Sequence, residues 1–101
     1  MDIQVYMLAF MNGEIRDVTI PDDSKTVLED VFRLGQNDFQ PSNTHCSVSV
    51  GDVIDLGEDA DVRYHLVCPA GFKDMTLELF SHYKSLSKDG RRMAAWGWNE
   101  L

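Results

Sequence analysis

Apolar and polar positions alternate along much of the chain, and changes in the period of that alternation mark out its elements. Ile3, Val5, Met7 and Ala9 interleave with Tyr6, Leu8 and Phe10, so both faces are apolar, as in a strand covered on both sides. Asn12-Gly13 follows, a pair suited to the positive φ angles of a type I′ turn. Residues 14–20 then return as a second strand, with Arg16, Val18 and Ile20 on one face and Pro21 at its end. Beyond Pro21 the period lengthens. Val27, Leu28, Val31, Phe32 and Leu34 share one broad helical face. Asp22, Asp23 and Ser24 offer N-cap oxygens, Thr26 and Glu29 have capping-box spacing, and Gly35 stands where a left-handed C-cap belongs. The expected helix covers residues 24–34.

Residues 36–45 break both periods through Asn37-Asp38, Pro41 and Ser42-Asn43, so a loop is expected there, with Phe39 as its anchor on the core. The run 47–56, S-V-S-V-G-D-V-I-D-L, resumes a period of two across Gly51-Asp52. It predicts the central strand, or strand pair, of a small sheet, kinked at the glycine as a bulge would be. Residues 57–61 form an acidic turn. Val62, Tyr64, Leu66 and Cys68 alternate with Arg63, His65 and Val67 as a further strand, which Pro69-Ala70-Gly71 stops and Phe72 plugs. A second helix begins at Asp74, with Leu79, Phe80, Tyr83 and Leu86 at helical spacing, and fades over residues 87–90. The tail beyond it carries Met93, Trp96, Trp98 and Leu101.

Together these elements predict one α+β domain over 1–101. Its core is a curved antiparallel sheet of four or five strands, with one helix after the N-terminal hairpin and a second near the C-terminus. Residues 1–72 hold the sheet and first helix, and residues 73–101 the second helix and tryptophan tail. At 101 residues, such a domain buries about 60–70% of its unfolded surface without staples. No apolar run approaches the roughly 20 residues of a membrane span, and Met-Asp-Ile-Gln is not the opening of a signal peptide. A cytoplasmic protein without membrane contact is the expectation.

Charge sharpens this picture through its distribution. Residues 1–72 hold thirteen Asp/Glu and four Lys/Arg, whereas residues 73–101 hold four and five, within a net charge of −8. Solubility accounts for many acidic proteins; the sharper reading is a recognition face carried by Glu14, Asp17, Asp22, Asp23, Glu29, Asp30, Asp55, Glu58, Asp59 and Asp61. An acidic body repels phosphate, which counts against nucleic acid as the partner. In the tail, Arg91, Arg92, Met93, Trp96 and Trp98 have the composition of a binding patch. The alternative for the tryptophans is that they fold back onto the sheet or second helix.

Candidate chemistry adds little. His45-Cys46 is the only histidine–cysteine pair adjacent in sequence, and strand neighbours point to opposite faces. Asp52 and Asp55 could be paired carboxylates, yet aspartate beside glycine more commonly satisfies turn amides. The acidic turn lacks calcium-loop spacing, and the three histidines and two cysteines are scattered. Cys46 and Cys68 read as small buried or edge hydrophobes, with a strand-to-strand disulfide as the alternative. The expectation is therefore no catalysis, no metal and no cofactor.

The run 47–56, the following Tyr64-His65-Leu66-Val67 and the closing Gly71-Phe72 resemble the small YodL-like proteins of bacteriophages and conjugative elements. In that family a serine-rich S-x-S-V-x-D-V strand precedes a tyrosine-led segment ending in Gly-Phe. Asn37-Asp38-Phe39-Gln40-Pro41 is similar to its aromatic and proline lead-in, so the resemblance covers about residues 37–73. It implies a mobile genetic element acting in a bacterial cytoplasm and carries over no catalytic residue. The function expected is non-catalytic binding of a host protein with a basic surface, of the host-defence-inhibitor type. A homodimer through the tail would be a second association. A nucleic-acid-associated regulator acting through residues 84–98 is the alternative.

Overall fold

The N-terminal alternation forms β1 (Asp2–Met7) and β2 (Glu14–Thr19), an antiparallel pair with Ile3 opposite Val18 and Val5 opposite Arg16. In the computed structural model, which describes residues 1–97, the hairpin closes differently from the expected two-residue turn. Met7 opposes Glu14, so residues 8–13 all belong to the connection, and Gly13 has φ 98° while Asn12 stays at negative φ. The reason lies across the sheet. Oδ1 of Asp52 accepts the backbone N–H groups of Leu8 and Ala9, both at 2.9 Å, and draws these buried residues away from β2.

After β2 comes α1 (Val27–Leu34), shorter at its start than the sequence suggests. Ser24 and Thr26 donate their hydroxyls to the Asp30 carboxylate at 2.6 and 3.3 Å, so neither caps the helix through its side chain. Gly35 ends α1 at φ −78°, a right-handed conformation. Glycine is needed there for space: a Cβ would lie 2.4 Å from Cγ2 of Val48 and 2.7 Å from the Val31 carbonyl.

Only the second half of the run 47–56 is a strand, β3 (Val53–Asp55). The first half is an ordered turn whose period of two reflects two different tasks. Val48 drops into the core, while Oγ of Ser47 accepts the Asn37 N–H at 2.9 Å and the Ser49 N–H donates to Oδ2 of Asp52 at 2.8 Å. β4 (Tyr64–Cys68) is buried throughout. Pro69-Ala70 turns the chain into β5 (Gly71–Met75) rather than ending the sheet, so the second helix starts later than Asp74, as α2 (Leu77–Ser85). Oγ1 of Thr76 accepts the Leu79 N–H at 3.1 Å as its N-cap. The expected fade at 87–90 is a junction: Oγ of Ser87 accepts the Gly90 N–H at 3.0 Å and opens a third helix, α3 (Lys88–Trp96).

The result is an α+β fold with a five-stranded antiparallel sheet in the order β2-β1-β3-β4-β5. On one face Ile3, Val5, Val18, Ile20, Ile54 and Val67 pack with Val31 of α1 and Val48. On the other, Val53, Tyr64, Leu66, Cys68 and Met75 pack with Phe80 and Tyr83 of α2 and Ala95 of α3. Phe80 stacks on Tyr64 at 4.2 Å between ring centroids and meets Tyr6 edge-on at 5.1 Å. Burying side chains of this size contributes about 1.5–3 kcal/mol each. Phe72 is partly buried against the α1 side. Phe39, by contrast, is 59% exposed and does not anchor its loop. Arg16 does so instead, donating to Oδ1 of Asn37 and the Cys46 carbonyl at 2.7 Å and to the Gln40 carbonyl at 2.5 Å.

Candidate interaction surfaces

Strand directions give the molecule two unlike ends. β1 begins where β2 and β3 finish, and β4 begins and β5 finishes at that same end. This end carries Asp2 of β1, Asp74 of β5 and, in its loops, Asp22, Asp23, Glu58, Asp59 and Asp61, all exposed. Arg63, the cation seated among them, is committed: its Nε lies 2.8 Å from Oδ1 of Asp55 and its Nη1 3.8 Å from Glu58. The terminal amine is likewise engaged, with Asp22 at 2.5 Å.

Of the acidic residues singled out by sequence, this end gathers Asp22, Asp23, Asp55, Glu58, Asp59 and Asp61. Asp55, however, is buried and not part of an outward face. Burial works to raise its pKa, but the bidentate Arg63 pair and the Gly57 N–H at 2.8 Å outweigh it and hold the carboxyl below the usual range. Glu29 and Asp30 lie in the first turn of α1, where Ser24 lowers the Asp30 pKa by donating to it. Asp17 sits in mid-β2, on the half of the sheet that α2 and α3 leave uncovered, with Gln4 and Ile15. Glu14 belongs to the opposite end, where it accepts the Asn12 N–H at 3.1 Å.

That opposite end holds the described part of the tail. Arg91 is not available to a partner. It is buried, with Nε on the Leu8 carbonyl at 2.7 Å, Nη1 on the Leu86 carbonyl at 2.7 Å and Nη2 on the Met11 carbonyl at 3.1 Å. Arg92 is half-buried, donating to the Ala9 carbonyl at 2.5 Å, pairing with Asp89 and lying 5.0 Å over the Phe10 ring. Met93 and Trp96 are 75% and 66% exposed and, three residues apart, share a side of α3. Phe10, 56% exposed, extends this patch beside Arg92. Its placement was not legible in β1's alternation, because the chain leaves the strand at Leu8. Trp98 lies outside the described residues.

Groups with chemical potential are spent on structure. The Asp52 carboxylate is buried and accepts three backbone N–H groups, from Leu8, Ala9 and Ser49. Burial pushes its pKa up to about 6, against the lowering effect of those donors. The turn-satisfying role read from Gly51-Asp52 is the one seen. The Tyr83 hydroxyl donates to the Gly51 carbonyl at 2.5 Å, and burial raises its pKa first, the Asp52 charge second. His65 places Nε2 on the Val62 carbonyl at 2.9 Å and Nδ1 3.3 Å from Asp74. His45 lies next to exposed Cys46, but its Nδ1 faces the Thr44 hydroxyl at 3.1 Å; Cys46 and buried Cys68 are both free thiols. Among the described residues no three His, Cys, Asp or Glu side chains converge in the manner of a metal site, and no helix is long and apolar enough to cross a membrane.

No protein-family model, curated protein or solved structure matches the chain.

Proposed function

We propose that this chain is a non-catalytic protein-binding module whose acidic end occupies a basic surface of another protein. One observation carries the reading. The strand order delivers Asp2, Asp22, Asp23, Glu58, Asp59, Asp61 and Asp74 to one end, where Arg63 is already spent on Asp55. Such a concentration of one sign attracts an oppositely charged surface and accelerates encounter with it. The resemblance of residues 37–73 to YodL-like proteins supplies the setting. The module serves a phage or other mobile element in a bacterial cytoplasm and blocks a host-defence protein at a surface that otherwise holds nucleic acid.

The test is capture by the immobilised protein from bacterial lysate at about 50 and about 500 mM salt, conditions that span weak and strong screening. Basic proteins should be held at low salt and released at high salt, and a Glu58→Gln/Asp59→Asn/Asp61→Asn variant should hold them at least about tenfold less. Capture that ignores both salt and the triple substitution overturns the reading.

The exposed Phe10–Arg92–Trp96 patch supports a second reading, a nucleic-acid-associated regulator in which bases stack on the aromatic rings. A low-salt mobility-shift assay decides it. A shift abolished by Trp96→Ala favours the regulator, and no shift removes it. Association of two copies through the same patch would appear as a concentration-dependent mass lost in Met93→Glu.

A further inference from the structure

The sheet has two edges, and they are finished differently. Ladder bonds show which backbone groups point out of each. In β4, the Val67 N–H and carbonyl both bond toward β3, to the Asp52 carbonyl and the Gly51 N–H at 2.9 Å. Alternate residues therefore face β5, pairing Tyr64 with Met75, Leu66 with Lys73 and Cys68 with Gly71. What remains on the outer side of β5 are the N–H and carbonyl groups of Phe72 and Asp74. Among the described residues no hydrogen bond reaches these four groups. At the other edge the same accounting turns Ile15, Asp17 and Thr19 outward, since the Met1 and Ile20 backbones bond each other at 2.7 and 2.8 Å. There the Gln40 side chain imitates a neighbouring strand at Thr19. Its amide accepts the Thr19 N–H at 3.0 Å and donates to the Thr19 carbonyl at 2.6 Å, in a loop that Arg16 holds alongside. The backbone groups of Ile15 and Asp17 take no hydrogen bond among the described residues, but they are flanked by no such pair of clefts as β5 has.

Clefts flank the open edge on both faces. One of about 270 Å³ is lined by Phe32, Val50, Val67 and Phe72, with Glu29 at its rim. Another of about 420 Å³ is lined by Tyr64, Met75 and Leu77, with the carboxylates Asp61 and Asp74. A strand added to an edge sends successive side chains to opposite faces. We propose that β5 is a strand-addition site that takes an extended segment of a partner protein in which an aliphatic residue and, two positions along, a lysine or arginine share the face turned toward α1. Backbone bonding runs to Phe72 and Asp74. On the α1 face, which these two residues share with Val67 and His65, the aliphatic side chain enters the apolar cleft and the cationic one meets Asp74. The inference rests on the protein-binding reading above and names the form in which the partner is held.

The probe is a ten-residue peptide that repeats valine-threonine-lysine-threonine, so that valine and lysine share one face, with a counterpart carrying glutamate in place of lysine as control. Backbone amide exchange is followed by NMR on the intact chain. Binding through the edge slows exchange at Phe72 and Asp74 at least tenfold for the lysine peptide, while Ile15 and Asp17 keep their rates and the glutamate peptide has no effect. Proline at an outward-facing edge position removes no ladder bond, so Asp74→Pro should fold and lose the protection, whereas Asp74→Asn keeps the N–H and loses only affinity. Chemical-shift changes confined to the loop carboxylates, with unslowed Phe72 and Asp74 amides, overturn strand addition and leave the charge-based reading standing. No response anywhere to the lysine peptide counts against both. Slow Phe72 and Asp74 exchange in the chain alone, growing with its concentration, overturns the partner strand in favour of a second copy paired edge to edge.

Discussion

Replacing Asp52 by asparagine separates the carboxylate's role as a tie from the cost of its charge. Asp52 ties the 8–13 connection to the turn that precedes β3, through three backbone N–H groups. An aspartate whose folded pKa lies above its unfolded one binds its proton more tightly in the native state. Its contribution to stability is therefore full below the unfolded value and is lost as pH rises through the folded value. With 3.8 as the ordinary value and about 6 in the fold, the loss is about 3 kcal/mol in all at ~1.4 kcal/mol per pKa unit. About half of it, ~1.4 kcal/mol, falls between pH 5 and 7.5. The asparagine oxygen can keep the Leu8 and Ala9 donors, but its amide nitrogen meets the Ser49 N–H donor to donor, costing about 1–3 kcal/mol at every pH. Urea denaturation of both proteins at pH 5, 6 and 7.5 should show the variant weaker at pH 5, with the gap closing by about 1.4 kcal/mol at pH 7.5. Carboxylates such as Asp22, Asp30 and Asp55, whose pKa values are lowered, titrate in both proteins and cancel in the comparison. Parallel pH profiles would refute the reasoning.

Gly35→Ala should destabilise by about 1–3 kcal/mol despite an ordinary φ, because the new methyl meets Val48 and the Val31 carbonyl; a thermal melt equal to wild type would contradict this. Arg91→Met, which orphans the carbonyls of Leu8, Leu86 and Met11, should cost about 3 kcal/mol or more, whereas the neighbouring Arg92→Ala should cost under about 1 kcal/mol. Equal losses for the two arginines in denaturant titrations would mean that the burial pattern of α3 is misassigned. Tyr83→Phe should cost about 1–2 kcal/mol by stripping the Gly51 carbonyl of its donor, read from the same titrations.

What the sequence revealed of this fold follows from where local pattern and tertiary demand coincide. β1, β2 and β4 alternate because their faces meet different layers, and that alternation is written in their residues. The run 47–56 misleads for the same reason in reverse. Its valines and serines also alternate, but as core plug and hydrogen-bonding group of a turn held by Asp52. β5 has no strand composition beyond Phe72; pairing with β4 makes it a strand, and the Pro69-Ala70 break that suggested an ending is its hairpin turn. α3 hides behind Gly90 and two arginines, although Ser87 with Asp89 in the first turn is a readable N-terminus. The burial of Arg16 and Arg91 has no local signal, since most of the carbonyls they serve, those of Gln40 and Cys46 for Arg16 and of Leu8 and Met11 for Arg91, come from distant loops. Of the seven exposed carboxylates at the acidic end, Glu58, Asp59 and Asp61 were legible as the turn 57–61 and Asp22 and Asp23 as a pair; bringing these together with Asp2 and Asp74 needed the strand order.

Asp52 and Arg91 each satisfy the backbone of two loops and Arg16 that of one, so the fold's polar ties lie mainly at mid-sheet and at the end away from the exposed carboxylates. The acidic end holds Arg63 with Asp55 as its own tie, and its remaining carboxylates repel one another. Self-repulsion of this kind weakens a compact state. Neutralising Glu58, Asp59 and Asp61 together should therefore leave stability unchanged or raise it by up to about 1 kcal/mol, since the ion pair it breaks is the long Arg63–Glu58 one at an exposed site. The same substitutions should weaken capture of a basic partner. A surface that improves folding when its charge is removed has been kept for something other than folding, as functional sites often are. If the triple variant instead unfolds at lower denaturant, the turn is a structural element and the acidic end loses its claim to be a recognition face.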